Sequence, residues 1–244
     1  MKIRCIDFET TGKIEEREKG KPVGICEFGF ADVDGSTGAV SKPVSSLINC
    51  GIAMPPEARA IHHISDEDVS ESPTPDFAFK SLMDGMEPGD VFCAHNAAFE
   101  QAIFTGSTFP WICTMQSAKH LWEDAPGYSN QTLRYWLGVD ADFEWPPLAM
   151  PPHRAGPDAY VTAHILSRMV KDKHPSVLIQ LTNTPVLLKT VGFTKDHYGK
   201  LWSDMDRGFL EWCVDPRRDN LSPEIRHTAR HWLNKLTMSG TPFA

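Results

Sequence analysis

The sequence contains no Cys-x-x-Cys pair: its six cysteines, at 5, 26, 50, 93, 113 and 213, are scattered along 244 residues. That spacing fits neither a zinc ribbon nor a disulfide framework, and a chain of this length buries a sizeable core without such staples. The thiols are expected to be reduced and mostly buried, as in a cytoplasmic protein. A long apolar run is missing too. The N-terminus reads Met-Lys-Ile-Arg-Cys-Ile-Asp, which predicts neither a signal peptide nor a transmembrane helix. An excess of basic residues is also absent. The formal net charge of −8 argues against a protein that coats nucleic acid through bulk electrostatics, though not against an enzyme that handles one strand end. Charge is uneven along the chain: residues 1–188 carry 15 basic and 25 acidic side chains, residues 189–244 carry 9 and 7. The tail is the better side for a phosphate backbone.

The patterning predicts strands over 2–8, 25–33 and 44–50 and a short buried strand over Val91–Ala94. A helix entered through Pro55-Pro56, another over 76–84, and one capped by Asn96 and running through Phe104 follow from proline and cap signals. Residues 111–113 suit a strand, and 114–122 and 130–137 suit helices. A loop over 140–157 then leads to a helix opened by Pro157 and reaching about Lys171, with Val161, Ile165 and Met169 on one stripe. Strands first, then strands alternating with helices, indicate a mixed α/β sheet. The pattern breaks at Lys-His-Pro, so the expected division is 1–173 for the main domain and 174–244 for a small, mainly helical C-terminal module.

Several carboxylates stand out. Asp7 and Glu9 are two apart on a strand, share the parity of Ile3 and Cys5, and can hold one cation between them. Acids that continue a buried face are costly to desolvate unless metal or protons compensate. Glu100 falls in the first turns of the helix after Asn96, beside Phe99, on or near a packing face. Asp158 occupies the first turn of the long helix, yet its i+3 and i+7 neighbours are Val161 and Ile165, which turns it inward. His153 lies five residues earlier in the loop. Taken singly, each has a plainer account: a strand that ends in solvated acids, acids favoured by a helix dipole, a solvated loop histidine.

Together, Ile6-Asp7-Phe8-Glu9-Thr10-Thr11-Gly12, Ala94-His95-Asn96-Ala97-Ala98-Phe99-Glu100 and His153-Arg154-Ala155-Gly156-Pro157-Asp158-Ala159 occur in the order of three known motifs. They resemble those of the DEDDh group of DnaQ-like 3′-to-5′ exonucleases: Asp-x-Glu-Thr, His-Asn-x-x-Phe-Asp and His-x-Ala-x-x-Asp. Further segments are similar to the exodeoxyribonuclease X family in particular. These are Ala60-Ile61-His62-His63-Ile64, Trp111-Ile112-Cys113-Thr114-Met115 and Tyr128-Ser129-Asn130, and in the tail Phe193-Thr194-Lys195, Gly199-Lys200, Ser203-Asp204 and Phe209-Leu210-Glu211-Trp212. One position departs from the pattern: the second motif ends in Asp, and here stands Glu100, one methylene longer. Lys13 to Lys21 also form a charged insertion beside the first motif.

The resemblance implies a ribonuclease H-like α/β fold, a mixed sheet flanked by helices. It implies a metal-dependent 3′-to-5′ exonuclease that releases nucleoside 5′-monophosphates from nucleic acid 3′ ends, DNA before RNA. Asp7, Glu9, Glu100 and Asp158 would hold two Mg²⁺ or Mn²⁺ ions, Asp7 bridging and Glu100 through water, and His153 would be the general base. Phe8, Thr10, His62, Asn96 and Phe99 are candidates to hold the terminal nucleotide, with core packing the equal alternative for the two phenylalanines. A ribonuclease of the same fold and a catalytically silent binding module are the rival functions. A structural zinc site on His227 and His231 lacks further ligands.

Overall fold

The structure, a computed structural model, describes residues 1–239. It divides into two compact units, Met1–Thr182 and the chain from Asn183 onward. The first holds a five-stranded sheet built from β1 (Lys2–Thr10), β2 (Ile25–Asp34), β3 (Val44–Leu47), β4 (Val91–Ala94) and β5 (Trp111–Cys113). Their order is β3-β2-β1-β4-β5, with β2 antiparallel to both of its neighbours, β3 and β1, and with β1, β4 and β5 parallel. The helices are α1 (Ile14–Glu18), α2 (Pro56–His62), α3 (Asp66–Val69), α4 (Pro75–Met83), α5 (Ala97–Ile103), α6 (Thr114–Leu121), α7 (Asn130–Leu137), α8 (Ala155–Asp172) and α9 (Pro175–Thr182). No helix among the described residues is long and apolar enough to cross a membrane.

Alternation in β1 explains the two layers. Ile3 and Cys5 face one way, with Ala31, Val33 and Cys93, and are covered by α8 through Tyr160, Val161, Ile165 and Met169. Ile6 and Phe8 face the other way and pack with Phe28, Phe92, α4 and α5. Phe8, 4% exposed, is thereby a core residue rather than a face for a nucleotide, because its parity is opposite to that of Asp7 and Glu9.

Three local expectations are corrected. Helix α8 begins at Ala155, two residues ahead of Pro157, and the first intrahelical bond runs from Asp158 N–H to the Arg154 carbonyl. Pro157 stays in the first turn, where no helical donor is required. Asn96 precedes α5 at the cap position but makes no side-chain cap hydrogen bond. The segment before α8 is not all loop, since Val139–Asp142 and Pro146–Ala149 form short 3₁₀ turns. Beyond the pattern break at Lys-His-Pro, α9 still belongs to the first unit, with Leu178 in its core and the Thr182 hydroxyl accepting from Cys113 N–H at 2.8 Å.

The second unit is small and mainly helical. Helices α10 (Arg207–Val214) and α11 (Pro223–Ser239) surround Val191, Trp202, Leu210, Cys213 and Ala229. The Trp202 indole N–H donates to the Thr190 carbonyl at 3.1 Å.

A single glycine sets how α8 meets the sheet. A Cβ on Gly29 would lie 2.3 to 2.4 Å from the carbonyl group of Ala155 and the nitrogen of Gly156, so only a bare Cα lets the helix start reach β2. Gly29→Ala is expected to lower stability by about 1–3 kcal/mol. Wild-type stability of that variant in urea unfolding would show that strand and helix do not meet in this way.

Candidate active site

Cross-strand partners share a face of the sheet. In the β1–β2 register Asp7 pairs with Gly29 and Glu9 with Glu27, so three carboxylates flank the one gap into which α8 inserts. The insertion delivers Asp158. Ligand oxygens of Asp7, Glu9 and Asp158 all lie within 4.8 Å of one another, the one such convergence of His, Cys, Asp or Glu donors among the described residues. Glu100 enters from α5, which begins just after β4, the strand that runs parallel to β1 and pairs with it at Ile3–Cys5. It is 4% exposed, and its Oε2 has no hydrogen-bond partner among the described residues.

Asp158 is held from two sides. The His153 backbone N–H donates to its Oδ2 at 2.7 Å, and the Gln131 amide donates to its Oδ1 at 3.0 Å. Arg134 donates to the Gln131 Oε1 at 3.2 Å, which settles which end of that amide faces Asp158. Asn130 donates to the Asp158 carbonyl and to the Thr162 hydroxyl at 3.1 and 3.0 Å. His153 itself is exposed, with φ near 60°, a left-handed turn whose backbone is fixed by Asp158 while the imidazole projects outward.

Glu27 is not a fourth member of the converging set. It is 3% exposed and bound bidentately by Arg154 at 2.8 and 2.9 Å, and it accepts the Ala155 N–H at 2.9 Å. One carboxylate thus fastens both the residue after His153 and the first turn of α8. Neither Glu27 nor Gln131 is flagged by sequence reasoning, although Glu27, an acid set between the apolar Cys26 and Phe28, is a signal that could have found it.

The electrostatics are those of charge without a counter-ion. Burial pushes Asp7 well above the carboxylate range, and the charges of Glu9, Asp158, Glu100 and Glu27 push it the same way. Glu9 is raised to about 8, by burial first and then by Asp158 and Glu27, with Arg154 opposing. Glu100 is raised to about 8, again mainly by burial, with a contribution from Glu9. Asp158 is raised by burial, against the donors from His153 and Gln131. Arg154, the cation that opposes the shift of Glu9, is already committed to Glu27. Hard oxygen donors, mutual repulsion and an unpartnered buried oxygen are what a hard divalent cation satisfies, so the residues present fit such a metal.

The family model of the RNase T exonucleases matches residues 5–166. The chain is 30% identical over 236 residues to exodeoxyribonuclease 10 of Escherichia coli, across 95% of this chain and 98% of that protein. The chain belongs to the exonuclease family. It is similar in structure to exonuclease X in complex with 5′-overhanging duplex DNA, with a TM-score of 0.59 and 28% identity over 74% of this chain and 99% of that one. The nuclease domain of 3′hExo, a DEDDh family member bound to rAMP, shares the fold with a TM-score of 0.54 at 16% identity, over 71% of this chain and 93% of that one. The mixed sheet flanked by helices is the ribonuclease H-like fold of DEDDh exonucleases, whose members use divalent metals, and the protein is a hydrolytic exonuclease.

The remaining predicted residues sort by location. A cavity of about 750 Å³ opens beside Glu9, lined by Thr10, Lys13, Lys21, His62 and Phe99 among others. The charged insertion therefore forms one wall of it, and α1 is tied down by Arg17, which donates to the Val23 and Ala102 carbonyls. His62 is 2% exposed, with Nδ1 accepting from Ile64 N–H at 3.0 Å. Its Nε2 then carries the proton and faces Cys26 Sγ at 3.7 Å. Asn96 is exposed at the helix entrance, outside the cavity lining. His95, from the second motif, bonds the Thr114 hydroxyl and the Tyr128 carbonyl at 2.9 and 2.8 Å, and burial lowers its pKa to about 4. It is a neutral structural group.

A pH dependence follows for the metal-free protein. Glu100 has an ordinary value of 4.5 and a folded value of about 8, so between them the folded state binds more protons than the unfolded one. Stability then falls as pH rises through that window. Glu100→Gln is expected to flatten the fall in thermal midpoint measured in EDTA from pH 5 to pH 8, roughly the span between those values. An equally steep fall in the variant would remove Glu100 as a source.

Proposed function

We propose that the protein removes nucleotides one at a time from the 3′ end of DNA, releasing nucleoside 5′-monophosphates. Asp7, Glu9, Asp158 and Glu100 hold two Mg²⁺ or Mn²⁺ ions, and His153 is the general base. The observation that carries this reading is the convergence of Asp7, Glu9 and Asp158 within 4.8 Å in a chain of the exonuclease family. The exodeoxyribonuclease name of the relative and the duplex DNA bound by exonuclease X support DNA as substrate. We further assign the exonuclease domain to the first unit and a small C-terminal module to the second.

When bound, such ions supply Lewis-acid polarisation of the scissile phosphate and activation of water. The chain's own groups do the rest. Asp7, whose ligand oxygen lies within 4.8 Å of those of Glu9 and Asp158, would be shared between the two ions. Glu100, whose oxygens are carried one methylene further than an aspartate's, would contribute its buried, unpartnered Oε2 to the same ions, through water. The backbone bond from His153 to Asp158 ties the base to the metal site, while the exposed imidazole is left to take a proton from the attacking water. The new P–O bond forms as the bond to the 3′ oxygen breaks. Thr10 and Phe99 line the cavity beside Glu9 and contact the terminal nucleotide.

Digestion of 3′-labelled and 5′-labelled DNA and RNA tests the reading directly. Mononucleotides should appear first from the 3′ label of DNA, with Mg²⁺ or Mn²⁺ and not with EDTA; release from the 5′ label first, or of RNA only, would overturn polarity or substrate. Asp7→Ala and Asp158→Ala should abolish activity while metal-free stability holds or rises, since removing either relieves repulsion.

His153→Ala should lower turnover by roughly 10² to 10⁴ with metal affinity retained, and the deficit should shrink at high pH. Collapse of Mn²⁺ affinity in that variant, read by titration calorimetry, would make His153 a ligand instead.

A further inference from the structure

The second unit carries a surface feature that its own packing does not explain. Residues Thr194 to Lys200 form a tight excursion closed by the Val191 N–H to the Lys200 carbonyl at 2.9 Å and the Gly199 N–H to the Val191 carbonyl at 2.8 Å. An antiparallel bridge between Thr190 and Leu201 seals its base. Its inner side is anchored by rings: His197 stacks on Phe209 at 4.2 Å, and Phe209 continues into Phe193, Trp202 and Trp212. The fold is thus satisfied without the tip. There Tyr198 stands 74% exposed, the most exposed of the large hydrophobic side chains, between Lys195 and Lys200, both exposed and in no ion pair among the described residues. Asp196 is the one acid in the excursion.

We propose that this excursion is a binding site for unpaired nucleic acid, with Tyr198 stacking on a base and Lys195 and Lys200 meeting the backbone phosphates. It rests on the reading of the protein as a nuclease, and it adds a contact carried by the second unit. A ring on a rigid support flanked by cations is the arrangement that grips single strands without regard to sequence. Charge favours the same occupant. Residues 1–188 hold 15 basic against 25 acidic side chains and repel a polyanion, whereas residues 189–244 hold 9 against 7. The match to exonuclease X with its DNA uses 74% of this chain and 99% of that one, so a nuclease fold bound to duplex DNA is complete over a shorter chain. Exodeoxyribonuclease 10, matched over 95% of this chain, spans the additional unit as well.

Fluorescence anisotropy with the full chain in EDTA, titrated into a labelled single-stranded oligothymidylate of about 20 nucleotides, reads binding without hydrolysis. Tyr198→Ala should weaken binding about tenfold, and Tyr198→Trp should retain it. Lys195→Gln with Lys200→Gln should reduce the slope of log affinity against log salt by about 0.7 per lysine. Thermal unfolding confirms that these surface variants keep the fold. Binding within about twofold of wild type in Tyr198→Ala, an unchanged salt slope, or no strand binding by the wild type would each overturn the proposal. Mononucleotide release from the same oligonucleotide with Mg²⁺ tests the nuclease reading separately.

Discussion

The start of α8 lies against the bare backbone of β2 at Gly29, and the arrangement of the site depends on that approach. Any side chain there would hold the helix away from the strand that pairs with β1. Glu27, two residues earlier on the same face, converts the approach into an attachment by binding the Arg154 guanidinium and the Ala155 N–H together. The pair has a buried carboxylate and a half-buried guanidinium and contributes little net stability in itself, yet losing Arg154 would strand the buried Glu27, so the helix start is fixed in position. Asp158 and the His153 backbone follow from it, because they sit on either side of the anchored turn.

The cost of that precision is electrostatic. Burying Asp7, Glu9, Glu100 and Asp158 in one place raises them all, and the nearby guanidinium is spent on Glu27. Without metal the site holds protons that it would otherwise release. A hard divalent cation would relieve that frustration, since it offsets several desolvated carboxylates at once. Over residues 1–188 as a whole, acidic side chains outnumber basic ones by 25 to 15. Where basic side chains outnumber acidic ones is the second unit, whose aromatic interior supports an exposed tyrosine and two unpaired lysines.

Much of this was legible in the residues alone. The spacing of Asp7 and Glu9 requires a common face on any strand, and the apolar partners of Asp158 require it to turn inward on any helix, whatever surrounds them. The three motifs in order then tie these acids to Glu100 and His153. Phe8 shows where adjacency misleads: it stands between two ligand candidates, but strand alternation sends it to the opposite core. Asn96 shows the limit of motif reading, since it stands at the entrance to α5 and is not among the residues that line the cavity, whereas His62 does line it.

What the sequence by itself determined is therefore periodic and local: strand parity, the helical stripe of α8, the order of the carboxylates and the family they mark. The tertiary structure decided which acids converge and which serve as anchors. Glu27 is as acidic and as well placed on its strand as Glu9, and only the arrival of Arg154 and Ala155 from 127 and 128 residues away makes it a fastening instead of a member of the converging set. The same contact moved the start of α8 ahead of Pro157, because a distant carboxylate satisfied a backbone donor that local cap signals could not supply. Hydrogen bonds between segments so far apart depend on the packing of the whole sheet, and no local pattern encodes them.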